Sequence, residues 1–107
     1  MGLLDGRVAF VTGGSRGLGR ACCRTLAREG AKVAFNYSKS DSDARAVEAE
    51  IAAAGGVARG FKVSVLDKKG LGEIVRTLEA QTGGIDILIN NAGISQVVPL
   101  ALMEEED

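Results

Sequence analysis

The eight residues Thr12-Gly13-Gly14-Ser15-Arg16-Gly17-Leu18-Gly19 hold four glycines, one hydroxyl and one arginine. Such a stretch lets backbone N–H groups close around a phosphate. Gly13 would allow a sharp exit from a strand, Gly17 a close approach of backbone to phosphate, and Gly19 close packing of a helix on that strand. The helix that follows would add its partial positive charge and unsatisfied N–H donors, so a pyrophosphate needs no dedicated cation there. No Gly-Lys-Ser or Gly-Lys-Thr follows, which excludes a nucleoside-triphosphate loop of the Walker type. The spacing is G-x-x-x-G-x-G, whereas the dinucleotide fingerprint is usually written G-x-G-x-x-G.

Two features choose between dinucleotides. Arg16 lies inside the turn, and the end of the second apolar run reads Asn36-Tyr37-Ser38, where NAD-binding sheets usually place an acid for the ribose hydroxyls. Arg16, the Ser38 hydroxyl and Lys39 would together receive a 2'-phosphate through charge-assisted hydrogen bonds. The expected cofactor is therefore NADP(H) rather than NAD(H).

The elements needed to present these groups are readable in turn. "RVAFVT" (Arg7 to Thr12) and "KVAFNY" (Lys32 to Tyr37) are continuous apolar runs of the kind found in strands covered on both faces. Between them Leu18, Ala21, Cys22 and Leu26 recur at helical spacing, and the pattern stops at Gly30. "SKSDSD" offers N-cap residues for a second helix with the stripe Ala44, Val47, Ile51 and Ala54, closed by Gly55 and Gly56. "ARGFKVSV" reads as a weaker third strand. Asp67 precedes a third helix striped by Leu71, Ile74, Val75 and Leu78, and "IDILIN" (Ile85 to Asn90) is a fourth strand. A further helix would start near Met103. Alternating strands and helices imply parallel pairing, so the expected fold is α/β: a Rossmann-type doubly wound parallel sheet of strand order 3-2-1-4. Residues 1–107 read as one such domain, or as a piece of one: the dinucleotide-binding half of a larger sheet.

Composition narrows the class. Apolar residues at 46% and charged residues at 25% fit a globular domain, and a net charge of -1 with mixed signs offers no footprint for nucleic acid or an anionic membrane. No apolar window is long enough to span a bilayer and "MGLLDGRVAF" lacks the pattern of a signal peptide, so the expected location is the cytoplasm. Cys22 and Cys23 are adjacent and histidine is absent, which argues for core thiols rather than a disulfide or a zinc site.

These motifs resemble the short-chain dehydrogenases/reductases. Thr12 to Gly19 is similar to that family's T-G-x-x-x-G-x-G turn, and "DILINNAG" (Asp86 to Gly93) to its second signature. "GGSRGLGRA" and "VAFNYS" resemble its 3-oxoacyl-(acyl-carrier-protein) reductases and their carbonyl-reductase relatives. The resemblance implies hydride transfer between nicotinamide and a carbonyl, a small-molecule carbonyl substrate such as an acyl thioester, and a homo-oligomer. It makes Gly13, Ser15, Arg16, Gly17, Leu18 and Gly19 the phosphate and ribose turn, turns Ser38 to the 2'-phosphate and lays Asn91, Ala92 and Gly93 along the cofactor. Asn90 would tie the fourth strand to its neighbour. Near the adenine the family usually has Asp-Val or Asn-Val. This sequence is read as having Lys62-Val63 there, and a lysine cannot accept a bond from the adenine amino group.

The family's chemistry uses a serine and a Tyr-x-x-x-Lys pair. The single tyrosine here, Tyr37, is followed four residues on by Asp41 and sits at the adenosine end of the site, and Ser95 precedes the region of the family's serine. No catalytic residue is therefore expected within residues 1–107. "IDILIN" would be left as an apolar sheet edge, and this segment is expected to aggregate alone or to be completed by a partner or by the rest of its own polypeptide. Two functional classes stay open: the cofactor half of a reductase, and a non-catalytic nucleotide-binding or partner-pairing module of the same fold. A methyltransferase is disfavoured by the missing acid after the second strand.

Overall fold

A computed structural model gives the fold and describes residues 2–14 and 17–91. The unbroken apolar runs form strands covered on both faces. Val8–Thr12 (β1) is buried throughout, and Lys32–Tyr37 (β2) is buried after its first residue. With Val57–Lys62 (β3) and Ile87–Asn90 (β4) they build a parallel sheet in the order β3-β2-β1-β4. The helices Gly17–Arg28 (α1), Asp41–Ala53 (α2) and Lys68–Thr82 (α3) alternate with them. This is the α/β sheet of order 3-2-1-4 that the sequence predicts.

Pleating divides the core into two layers. Ala9 and Val11 of β1 and Val33, Phe35 and Tyr37 of β2 meet Cys23 and Ala27 of α1 and Ala44, Val47 and Ile51 of α2. Phe10 and Ala34 turn the other way, against Leu71, Ile74 and Leu78 of α3. Ser40 and Asp67 cap α2 and α3, their side chains accepting from the N–H groups of Asp43 and Gly70. Gly83 ends α3 at φ 90°, a conformation that favours glycine.

The details differ from the sequence reading in four places. The inner face of α1 is rotated by one residue: Gly19, Cys23 and Ala27 are buried, Cys22 and Leu26 flank them, and Leu18 is 71% exposed. The glycine turn brings α1 so close that only small side chains fit beneath it. A Cβ on Gly14 would stand 2.5 Å from Phe35 Cβ and 2.8 Å from Cys23 Sγ. Ala54 is the exposed C-cap of α2 rather than part of its inner stripe. β3 ends at Lys62, because Val63 N–H turns back to the Phe61 carbonyl at 2.9 Å, and β4 begins at Ile87 rather than Ile85. Asp86, just before β4, exchanges two bonds with Val8: its N–H donates to Val8 O at 2.8 Å, and Val8 N–H donates to Asp86 Oδ2 at 2.9 Å.

Both cysteines are free, and Cys23 is fully buried against Gly14, its Sγ 3.8 Å from the Gly14 carbonyl. Burial, with a smaller contribution from Cys22, pushes its thiol from 9.0 up to about 12. The folded thiol therefore keeps a proton that the unfolded one loses. Its contribution is complete below pH 9 and is lost as pH rises towards 12, at about 1.4 kcal/mol per unit. Denaturant unfolding at pH 8 and at about pH 10.5 should show a loss on the order of 2 kcal/mol that Cys23→Ser does not share. Parallel pH dependence in the two proteins would contradict this.

Candidate functional site

The carboxyl ends of β1, β2 and β4 converge on the glycine turn and the start of α1; Thr12 is in register with Asn36 on one side and Asn90 on the other. Thr12 is 4% exposed and joins β1 to β4. Its hydroxyl donates towards Asn90 Oδ1 at 3.2 Å and Ile89 O at 3.4 Å, and accepts from Asn91 N–H at 2.8 Å. The expected tie from Asn90 to the neighbouring strand is present. Asn91 Nδ2 also reaches the Gly13 carbonyl at 3.5 Å, so the end of β4 is fastened to the turn itself.

Within the turn, Gly13 at φ 68° and Gly17 at φ 57° adopt the left-handed region, which a side chain would strain. Gly19 is required for space instead: a Cβ there would collide with the Gly13 carbonyl and stand 2.6 Å from Asn91 Nδ2. It packs α1 on the turn rather than on the strand beneath. The first turn of α1 carries no acidic residue, which suits an anion at the N–H groups of the helix start.

The residue that sequence reasoning missed is Asn36. In the sequence it stands out only as the lack of an acid, yet in the fold it is 2% exposed and its side chain holds two segments together. Oδ1 accepts from Gly13 N–H at 3.0 Å, Nδ2 donates to the Val63 carbonyl at 2.8 Å, and its main-chain oxygen accepts from Gly14 N–H at 3.3 Å. One amide thus fixes both the glycine turn and the segment leaving β3. Its partners lie 23 and 27 residues away, beyond any local pattern. Gly14, absent from the expected site, belongs to the same support through its contact with Phe35 and Cys23.

The structure brings Gly13, Gly19 and Asn91 together, with Gly17 and Leu18 exposed beside them at the start of α1. Ser38 is exposed and directly follows β2. Lys62 is exposed too, with its ammonium 3.4 Å from Asp41 Oδ2, while the Val63 N–H and carbonyl are both engaged within the protein. Ser15, Arg16, Ala92 and Gly93, like Ser95 and Met103, lie outside the described residues. Tyr37 is buried and its hydroxyl donates to Asp41 at 2.7 Å. That bond, reinforced by burial, raises the phenol and, from the other side, lowers the Asp41 carboxyl. Among the described residues no cluster of metal ligands occurs, and no helix is long and apolar enough to cross a membrane.

Residues 7–107 match the short chain dehydrogenase family. A 3-oxoacyl-(acyl-carrier-protein) reductase of Synechocystis is 41% identical over 107 residues, which are 100% of this chain and 43% of that protein. The Bacillus subtilis short-chain dehydrogenase/reductase homolog YusS is 37% identical over 98 residues, covering 92% of this chain and 90% of YusS. Among solved structures, a Burkholderia cenocepacia short chain dehydrogenase in complex with NADP is 43% identical with a TM-score of 0.79, over 92% of this chain and 40% of that one. The chain thus spans less than half the length of the Synechocystis reductase, and nearly all of YusS.

Proposed function

The chain belongs to the short chain dehydrogenase family, and from that premise we propose that it forms the cofactor-binding part of an NADP(H)-dependent oxidoreductase acting on a small carbonyl substrate, an acyl thioester being the favoured class. The observation that carries the reading is the turn: two left-handed glycines, a third with no room for a Cβ, and a helix start free of acids. Those features suit a pyrophosphate. Gly13, Ser15, Arg16, Gly17, Leu18 and Gly19 would receive the diphosphate and ribose, Arg16 and Ser38 the 2'-phosphate, and Asn91, Ala92 and Gly93 the nicotinamide side. Lys62 and Val63 would border the adenine, Lys62 acting through Asp41 rather than on the ring.

When bound, the cofactor supplies the hydride for the carbonyl carbon. The proton for the carbonyl oxygen has no source in this turn, since Tyr37 is buried on Asp41 and Asp41 stands where a Tyr-x-x-x-Lys pair would place lysine. We assign the family's serine, tyrosine and lysine to polypeptide other than residues 1–107. A cytoplasmic homo-oligomer follows from the same family reading.

The cofactor assignment is tested by titrating the full-length protein with NADPH and NADH. NADPH should bind more tightly, and Arg16→Ala should narrow the difference by about 1.5 to 3 kcal/mol, the range for hydrogen bonds to charged groups. Equal affinities in the unaltered protein would sink the reading. The near-complete overlap with YusS favours a second one, a short nucleotide-binding module without catalysis. Intact-mass measurement of the protein purified from its native cells separates the two: a mass well above 11.1 kDa supports the reductase, and one at that value the module.

A further inference from the structure

We propose that Lys62, by balancing the Asp41 carboxylate that Tyr37 holds at the start of α2, lets the segment between β2 and α2 accept a dinucleotide carrying a 2'-phosphate; the inference rests on the cofactor reading above. Tyr37 is the last residue of β2, 6% exposed, and Asp41 is the first of α2. The 2.7 Å bond from the Tyr37 hydroxyl to Asp41 Oδ1 closes the loop 38–40 on itself, and the Ser40 cap on Asp43 N–H fixes its far side. The loop that carries Ser38 and Lys39 is therefore held in one shape from both ends.

The same bond creates an electrostatic problem for a phosphate. Asp41 is the carboxylate nearest to Ser38 in sequence, and the Tyr37 hydroxyl stabilises its charged form, with Lys62 adding to the effect. A bare carboxylate there would repel a 2'-phosphate as the acid of an NAD-binding sheet does. Lys62 Nζ, 3.4 Å from Asp41 Oδ2, supplies the missing countercharge. Arg45 stands behind the pair: Nη2 donates to the Tyr37 oxygen at 3.4 Å, but its charge is already shared with Glu48 at 3.1 Å. Lys62 is thus a positioning and charge-balancing residue. Its place at the end of β3 keeps it beside Asp41 across the sheet, where Tyr37 and Lys62 are in register.

The test measures dissociation constants of the full-length protein for NADPH and NADH by fluorescence titration in four forms: unaltered, Lys62→Met, Lys62→Arg and Lys62→Met/Asp41→Asn. Lys62→Met should weaken NADPH by about threefold to tenfold while NADH changes less than about twofold, the size expected of charges several ångströms apart near a surface. Lys62→Arg should keep the preference. The double variant should restore NADPH binding, because no carboxylate remains to be balanced. The Lys62→Met defect should also fade at about 1 M salt, where screening acts within roughly 3 Å. Equal weakening of both cofactors by Lys62→Met, or a double variant no better than the single one, overturns the inference while leaving the NADP assignment intact. An unaltered protein without preference overturns the assignment itself, and this inference with it.

Discussion

Gly19→Ala is expected to abolish cofactor binding and to destabilise the fold by about 3 kcal/mol, near the upper end for forcing atoms into a packed site. The added Cβ would strike the Gly13 carbonyl and press on Asn91 Nδ2, so the helix could stay only by moving off the turn. Movement of α1 displaces the very N–H groups that would meet a pyrophosphate. Gly17→Ala offers the informative comparison. Among the described residues nothing lies within 4 Å of its Cβ position, and the cost there is that of φ 57°, about 1 to 2 kcal/mol. Thermal unfolding and NADPH titration of the two variants should therefore rank Gly19→Ala as the more damaging on both measures. A Gly19→Ala protein that binds NADPH normally would show that α1 does not need its close seat.

The second large effect is at Asn36. Asn36→Leu keeps the branched shape in a larger side chain but leaves Gly13 N–H and the Val63 carbonyl without their partners in a partly buried place, a loss of about 2 to 6 kcal/mol for two such groups. Asn36→Asp divides the contributions. It retains an acceptor for Gly13, loses the donor to Val63, and brings a buried carboxyl next to the turn. Cofactor affinity of that variant should fall as pH rises, a dependence the amide cannot have, and the fall should be readable by titration between pH 5 and 8 (about the range in which a buried carboxyl ionises). A pH-independent affinity equal to that of the unaltered protein would remove Asn36 from the site's support.

These two residues also mark the limit of what the sequence makes legible. β1 and β2 announce themselves, since an unbroken apolar run has few other uses, and the glycine caps follow from backbone sterics alone. The turn could be recognised by its spacing. The inner face of α1 could not, because size invites Leu18 into the core, whereas the turn admits only Gly19, Cys23 and Ala27. The family resemblance alone puts Lys62 near the adenine, and no local pattern announces its ion-pair partner Asp41, 21 residues earlier. Asn36 presents the same difficulty in stronger form. Its side chain looks like a polar interruption at a strand end until β3 is beside it, and only the register Asn36 to Phe61 shows why an amide is needed.

The sheet order has a consequence for synthesis on the ribosome. β1 can pair with β2 soon after both emerge, and β2 with β3 shortly afterwards, but the other side of β1 waits for β4, with Ala9 in register with Ile87. At translation rates of about 5 to 20 residues per second, that wait of 78 residues lasts roughly 4 to 16 seconds. During it β1, buried throughout in the finished fold, has an open flank, and the Thr12 hydroxyl lacks its partners Asn90 and Asn91. A nascent chain stalled before Ile87 would therefore expose a sticky edge to chaperones and hold an unfinished glycine turn, so cofactor loading would begin only once β4 has left the exit tunnel.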